Sequence, residues 1–164
     1  MNKIRGLLRY FTLYYPHKNE LSKTRITKMV YLADWFSAKE HKKQLTNIKW
    51  YFDHYGPYVS DVYDEAESDR KIVINHTYSV YGTPKGIIGL KKEYNAEQLH
   101  LNTISDSEKE ILDQVIEKTK NLHWSEFIDY VYSTYPIRTQ KKYGHLDLIS
   151  LADEEREIEI FIKN

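Results

Sequence analysis

Cysteine is absent from the 164-residue chain. That removes a disulfide framework, a thiolate metal cluster and a nucleophilic thiol together. Proline and glycine are scarce, at four and six residues, so neither a disordered linker nor a low-complexity tail dominates. No stretch approaches 18 consecutive apolar residues, which excludes a membrane-spanning helix. The opening, Met1 to Arg9, alternates bases with single apolar residues and lacks the apolar centre of a secretory signal. The expected location is the cytoplasm. The sequon Asn75-His76-Thr77 is then a chance match.

Net charge is also lacking, because 24 bases balance 24 acids. The charges are nevertheless segregated. Lys3 to Lys49 holds eleven bases against Glu20, Asp34 and Glu40, whereas Asp53 to Asp69 holds six acids and no base. Asp147 to Glu159 holds six acids against Arg156. Such patterning fits complementary protein surfaces or self-association better than a nucleic-acid footprint, for which a basic domain is expected. What the chain has in excess is tyrosine, fifteen residues, a side chain that offers contact area at low entropic cost.

A length of 164 residues allows one hydrophobic core, and no repeat or linker divides it. We read residues 1–164 as a single domain. Ile4, Leu7, Leu8, Phe11, Tyr14 and Tyr15 follow the spacing of one helix face, which Pro16 stops. Ser22 or Thr24 caps a second helix running to about His41. Its apolar residues, Ile26, Met29, Val30, Leu32, Ala33, Trp35 and Phe36, lie nearly all round, as in the central helix of a bundle. Ile48 to Phe52 reads as a strand, and Gly56-Pro57 as the opening of a third helix with Val59, Val62, Tyr63 and Ala66 on its apolar side.

Lys71 to Val80 and Gly86 to Leu90 form a predicted hairpin around Tyr81-Gly82-Thr83-Pro84. Ser105-Asp106-Ser107-Glu108 is a capping box that starts helix four. Helix five carries Trp124, Phe127, Ile128, Val131 and Tyr135 and ends at Pro136. The last segment, 150–164, is open between helix and strand, since Glu157 to Ile162 alternates; helix is the preferred reading. The fold class is α+β: a mainly helical bundle of about six helices, with a small antiparallel sheet or hairpin inserted after the third.

Catalytic signatures are missing. The seven histidines offer no i, i+3 or i, i+4 pair, the glycines build no phosphate loop, and no GxSxG elbow is present. We therefore expect no metal, no cofactor and no catalytic residue. A third reading, an unrecognised hydrolase or transferase, would need converging polar groups in a pocket.

Two constellations remain. Thr24, Thr27, Tyr31 and Asp34 make a polar stripe on the otherwise apolar second helix. A buried aspartate needs partners, so Asp34 is expected to bond Tyr31 or a group on a neighbouring element. Tyr55-Gly56-Pro57-Tyr58 is a corner whose Gly and Pro supply the turn.

These two places carry a family resemblance. Lys28-Met29-Val30-Tyr31-Leu32-Ala33-Asp34, followed about twenty residues later by Tyr55-Gly56-Pro57-Tyr58-Val59 and Val62-Tyr63, resembles the Panacea domain, the SocA-like antitoxin domain. Tyr58 stands where the family has valine. The likeness covers Leu21 to about Ser68 and continues more loosely to about Leu151. It implies a mostly helical cytoplasmic protein of bacteria or their prophages, acting in a toxin–antitoxin system as the antitoxin that neutralises a cognate protein toxin by direct binding, without catalysis or cofactor.

On that reading, Lys28, Tyr31, Asp34, Tyr55, Gly56 and Pro57 are family-motif residues, mainly structural. Tyr58, Asp61, Tyr63 and Asp64 are the candidate partner-binding face, suited to a basic toxin. Self-pairing into a homodimer is left open. The alternative is a winged-helix-like DNA-binding transcriptional regulator with Arg5, Arg9, Lys18, Lys23, Arg25 and Lys28 as its footprint. In that alignment the reading helix would carry Asp61, Asp64, Glu65 and Glu67 toward phosphates, so nucleic acid is the weaker expectation.

Overall fold

The computed structural model describes residues 2–164. Helix α1 spans Lys3–Tyr14, its first turn capped by the Asn2 side chain, which accepts from the Arg5 amide. It ends where Tyr15, extended before Pro16, cannot continue the helix. Leu7, Leu8 and Phe11 face the core, whereas Tyr14, assigned to that face from spacing, is 47% exposed and packs its ring at a tilt against that of Tyr10.

Helix α2, Lys23–His41, is the axis of the molecule. Ser22 is its cap, accepting from the Arg25 amide, and every residue from Arg25 to Ala38 is buried. It touches α1 and five later elements: α3 (Asp61–Ser68), α4 (Asp106–Thr119), α7 (Leu148–Lys163), and the strands β2 (Gly56–Tyr58) and β4 (Pro84–Leu90). An apolar surface on all sides is what such a position demands. Lys42 then takes a left-handed conformation and turns the chain away.

Two small sheets flank this axis. In the first, β1 (Tyr51–Asp53) pairs antiparallel with β2 (Gly56–Tyr58) and with β5 (Gly144–His145), in the order β2-β1-β5. This corrects one expectation, since Gly56-Pro57 does not open a helix. It forms strand β2, with Pro57 opposite Phe52, and α3 begins only at Asp61. Pro is as compatible with an edge strand, where no ladder amide is required of it, as with a first helical turn. Gly56 sits at φ +99°, a value an L residue rarely adopts.

The second sheet is the hairpin of β3 (Ile72–Tyr78) and β4 (Pro84–Leu90), inserted after α3 as the sequence reading has it. On the edge of β4 away from β3, the Ile88 amide donates to the Leu21 carbonyl, so β4 is held against the segment leading into α2.

The capping box is formed. Ser105 accepts from the Glu108 amide, and the Glu108 carboxylate accepts from the Ser105 amide. The predicted fifth helix is two helices, α5 (Trp124–Tyr132) and α6 (Tyr135–Thr139). The break falls at Ser133-Thr134, before Pro136 rather than at it, and Pro136 lies in the first turn of α6. The open segment at the end is helical throughout α7, whose first turn Asp147 caps through the Ser150 amide. Among the described residues the architecture is therefore α+β, with seven α-helices and two small antiparallel sheets.

Candidate functional site

Asp34 lies at the centre of the molecule with no exposed surface. One carboxylate oxygen accepts from the Leu45 and Thr46 amides at 2.8 and 2.9 Å. The other accepts from the Thr46 hydroxyl at 2.5 Å, the Trp50 indole N–H at 2.8 Å and the Gln44 amide group at 3.3 Å. Of the two partners anticipated, the neighbouring element is the correct one, and Tyr31 is not bonded to it. Burial pushes the Asp34 carboxyl up to about 6, against the pull of the Thr46 and Trp50 donors. The aspartate thus organises the 44–50 connection that delivers the chain from α2 to β1.

Tyr31 serves a second junction. Its hydroxyl shares a 2.8 Å hydrogen bond with the Thr134 hydroxyl between α5 and α6, and its ring stands edge-on to Trp50 at 5.5 Å. Thr27 turns inward on its own helix, donating to the Lys23 carbonyl. The polar stripe is therefore a set of separate anchors rather than one network.

Lys28 joins the two halves of the motif. Its ammonium donates to the Pro57 carbonyl at 3.3 Å, and the residue is only 1% exposed. Burial pulls its pKa down to about 8, opposed by the charge of Asp53. Pro57 and Gly56 are buried, and a side-chain carbon at position 56 would come within 3.4 Å of the Tyr132 ring. Tyr55 departs from the other motif residues, being 75% exposed at the tip of the β1–β2 turn.

The four candidate contact residues adjoin this scaffold. Asp61 and Asp64 are exposed in the first turn of α3, where acids complement the helix dipole. Tyr63 is half-buried, with the Lys23 ammonium 4.2 Å over its ring. Tyr58, also half-buried, lies opposite Tyr51 on β1, and Tyr51 lies opposite His145 on β5. Sequence reasoning missed this row of three rings because β5 is only two residues long. Around the turn, His54 contacts the Tyr143 hydroxyl through Nδ1 at 3.1 Å, and Tyr143 is held at φ 69°. The sequence reading also missed the donors that enclose Asp34 (Gln44, Thr46 and Trp50), since a loop has no period to reveal them.

The six cations offered as a nucleic-acid footprint form no basic face. Arg9, Arg25 and Lys28 are buried. Arg9 makes a bidentate contact with Asp69, at 2.7 and 2.8 Å, and donates to the Leu99 carbonyl at 2.9 Å. Arg25 reaches the Tyr15 hydroxyl and the carbonyls of Thr119, the last residue of α4, and of Leu122 in the turn after it, and stacks 4.3 Å over Phe127. Arg5 pairs with Glu65, and Lys18 donates to the carbonyls of Thr12 and Leu13. Among the described residues no group of three or more His, Asp or Glu side chains is placed to hold a metal ion, and no helix is long and apolar enough to cross a membrane.

Comparison with curated proteins and with solved structures returned no match. A family model does match, that of the SocA-like antitoxin, Panacea domain, over residues 26–136. That range takes in α2 from Ile26 onward, with Lys28 and Asp34, the Gly56-Pro57 corner, the β3–β4 hairpin, and the chain through the α5–α6 break, where Thr134 meets Tyr31, into the start of α6. With about two thirds of its length matched, the chain belongs to the family of SocA-like antitoxins defined by the Panacea domain.

Proposed function

We propose that this protein is the antitoxin of a toxin–antitoxin pair and neutralises a cognate protein toxin by direct binding, without catalysis. Family membership supports the antitoxin role. The observation that carries the binding mode is the division of labour around the motif. Lys28, Tyr31, Asp34, Gly56 and Pro57 are enclosed, whereas outside them Asp61, Asp64 and His145 are exposed and the rings of Tyr51, Tyr58 and Tyr63 are half-buried. The proposed contact face runs from Asp61 and Asp64 on α3 through Tyr63 and Tyr58 to Tyr51 and His145. A partner surface rich in Lys and Arg suits its acidic end, and tyrosine rings provide rigid contact area beside it.

The test is charge reversal, Asp61→Lys with Asp64→Lys, in cells expressing the toxin. Neither side chain supports the core, so the variant should still fold, with only the small loss of thermal stability expected from reversing two exposed charges at the start of α3, yet lose neutralisation and co-purification. A folded variant that neutralises as well as the parent would remove this face from consideration.

A further inference from the structure

The β3–β4 hairpin leaves one long edge without a partner. The Ile88 amide points to Leu21, away from β3, so the Ile74–Ile88 pair is one whose backbone groups face outward. By alternation, the amides and carbonyls of Ile74, His76 and Tyr78 all face outward from β3. The Ser79 amide bonded to Thr83 and the Lys91 amide bonded to Lys71 confirm the phase, since both belong to the inward-facing set. Among the described residues nothing pairs with those six outward groups, and Asn75 to Tyr78 are exposed.

Natural proteins guard such edges with charge, proline or a bulge. This one carries none. From Ile72 to Pro84 there are thirteen residues without a single Asp, Glu, Lys or Arg, in a chain that is 29% charged. Tyr78, Val80 and Tyr81, at 71%, 99% and 95% exposure, extend the apolar character to the tip.

We infer that this edge pairs with the same edge of a second copy of the chain, antiparallel about a two-fold axis at His76, to give a continuous four-stranded sheet. The charge pattern selects that occupant. An uncharged edge has nothing to attract a strongly acidic or basic segment, while two identical edges meet without repulsion. The register does the same. Centring the axis on His76 sets Ile74 opposite the partner's Tyr78, and Tyr78 opposite the partner's Ile74, so all six free groups on each edge are used. It also makes two aromatic–β-branched pairs, a favourable cross-strand combination. A strand pair with two tips buries an area at or below about 1,200 Å², the small end of specific interfaces, so the dimer is reversible with a dissociation constant on the order of micromolar. This inference does not depend on the toxin-binding reading.

The test is sedimentation equilibrium from about 1 µM to about 500 µM, a range that brackets such a constant. The mean mass should rise with concentration across it, toward twice the monomer mass at the upper end, for the parent chain. His76→Pro should stay at the monomer mass with an unchanged circular dichroism spectrum, because the lost amide faces away from β4 and proline is tolerated at such an edge. A parent chain monomeric throughout would overturn the inference, and so would a folded His76→Pro variant that dimerises equally well. Should that variant not fold, amide exchange on the parent decides. Ile74, His76 and Tyr78 should exchange at least tenfold more slowly at the high concentration while Val73, Asn75 and Thr77 are protected at both; no change at the first three sites would refute the pairing.

Discussion

Replacing Arg9 by methionine is the most demanding perturbation of the interior. Arg9 is 8% exposed at its side chain and Asp69 not at all, and the pair ties α1 to the junction between α3 and β3. The Arg9→Met variant strands a buried carboxylate and also deprives the Leu99 carbonyl of its donor. Breaking one side of a buried ion pair costs about 3–5 kcal/mol. The remaining contacts of Asp69, to the Lys71 amide at 3.0 Å and to Arg5 at 4.0 Å, set the expectation at the lower end of that range. For a chain of this size each kcal/mol lowers the melting temperature by about 2–4 °C, giving a fall of at least about 6 °C.

The double variant Arg9→Met, Asp69→Asn removes the stranded charge and keeps an acceptor for Lys71. It should recover about 2 kcal/mol relative to Arg9→Met alone. Acidity supplies a second readout. Burial works to raise the Asp69 carboxyl, but the bonds from Arg9 and the Lys71 amide outweigh it and hold the group below the ordinary carboxylate value. The unfolded chain therefore takes up this proton first as pH falls, so the stability contributed above about pH 4 is lost on acidification. Urea unfolding at pH 7 and in steps below pH 5 measures both effects. A cost under about 1 kcal/mol for Arg9→Met, or a double variant as unstable as the sum of the singles, would refute the reasoning.

Three further outcomes follow from the motif. Lys28 holds its proton less tightly folded than unfolded, so stability should rise with pH from about 8 toward the ordinary lysine value of 10.5, and Lys28→Met should flatten that rise in urea titrations. Above about pH 10 the buried Tyr31 phenol, held up by burial, acts in the opposite direction, which confines the test to the lower part of the window. Gly56→Ala forces a side chain onto φ +99° and should cost about 1–3 kcal/mol by chemical denaturation. Trp50→Phe removes a donor from a buried carboxylate and should cost about 1.5–3 kcal/mol, with the loss diminished in an Asp34→Ala background.

Those residues also mark where sequence stops being readable. Helix α2 was legible because its apolar residues go all round, and α4 because the Ser105–Glu108 box has a fixed spacing. The α5–α6 break was hidden because apolar residues keep helical spacing through it, and only the backbone reveals the interruption at Thr134. Gly56-Pro57 misleads for a different reason, since the same two residues satisfy a helix opening and an edge strand. Lys28 reads as a surface cation until its helix is known to be enclosed on every side. Asp34 was identifiable as a buried acid needing partners. Its donors from Gln44, Leu45, Thr46 and Trp50 were not, since they come from a connection whose geometry the carboxylate itself sets.

The central claim, neutralisation by direct binding, is tested most directly by co-expressing this chain with the reading frame that lies beside its own gene, scoring growth and then co-purification. Growth arrested by the neighbour alone, restored by this chain and accompanied by a stable complex, is the expected result. A toxic neighbour that this chain rescues without binding, or a harmless neighbour with no captured complex, would contradict it.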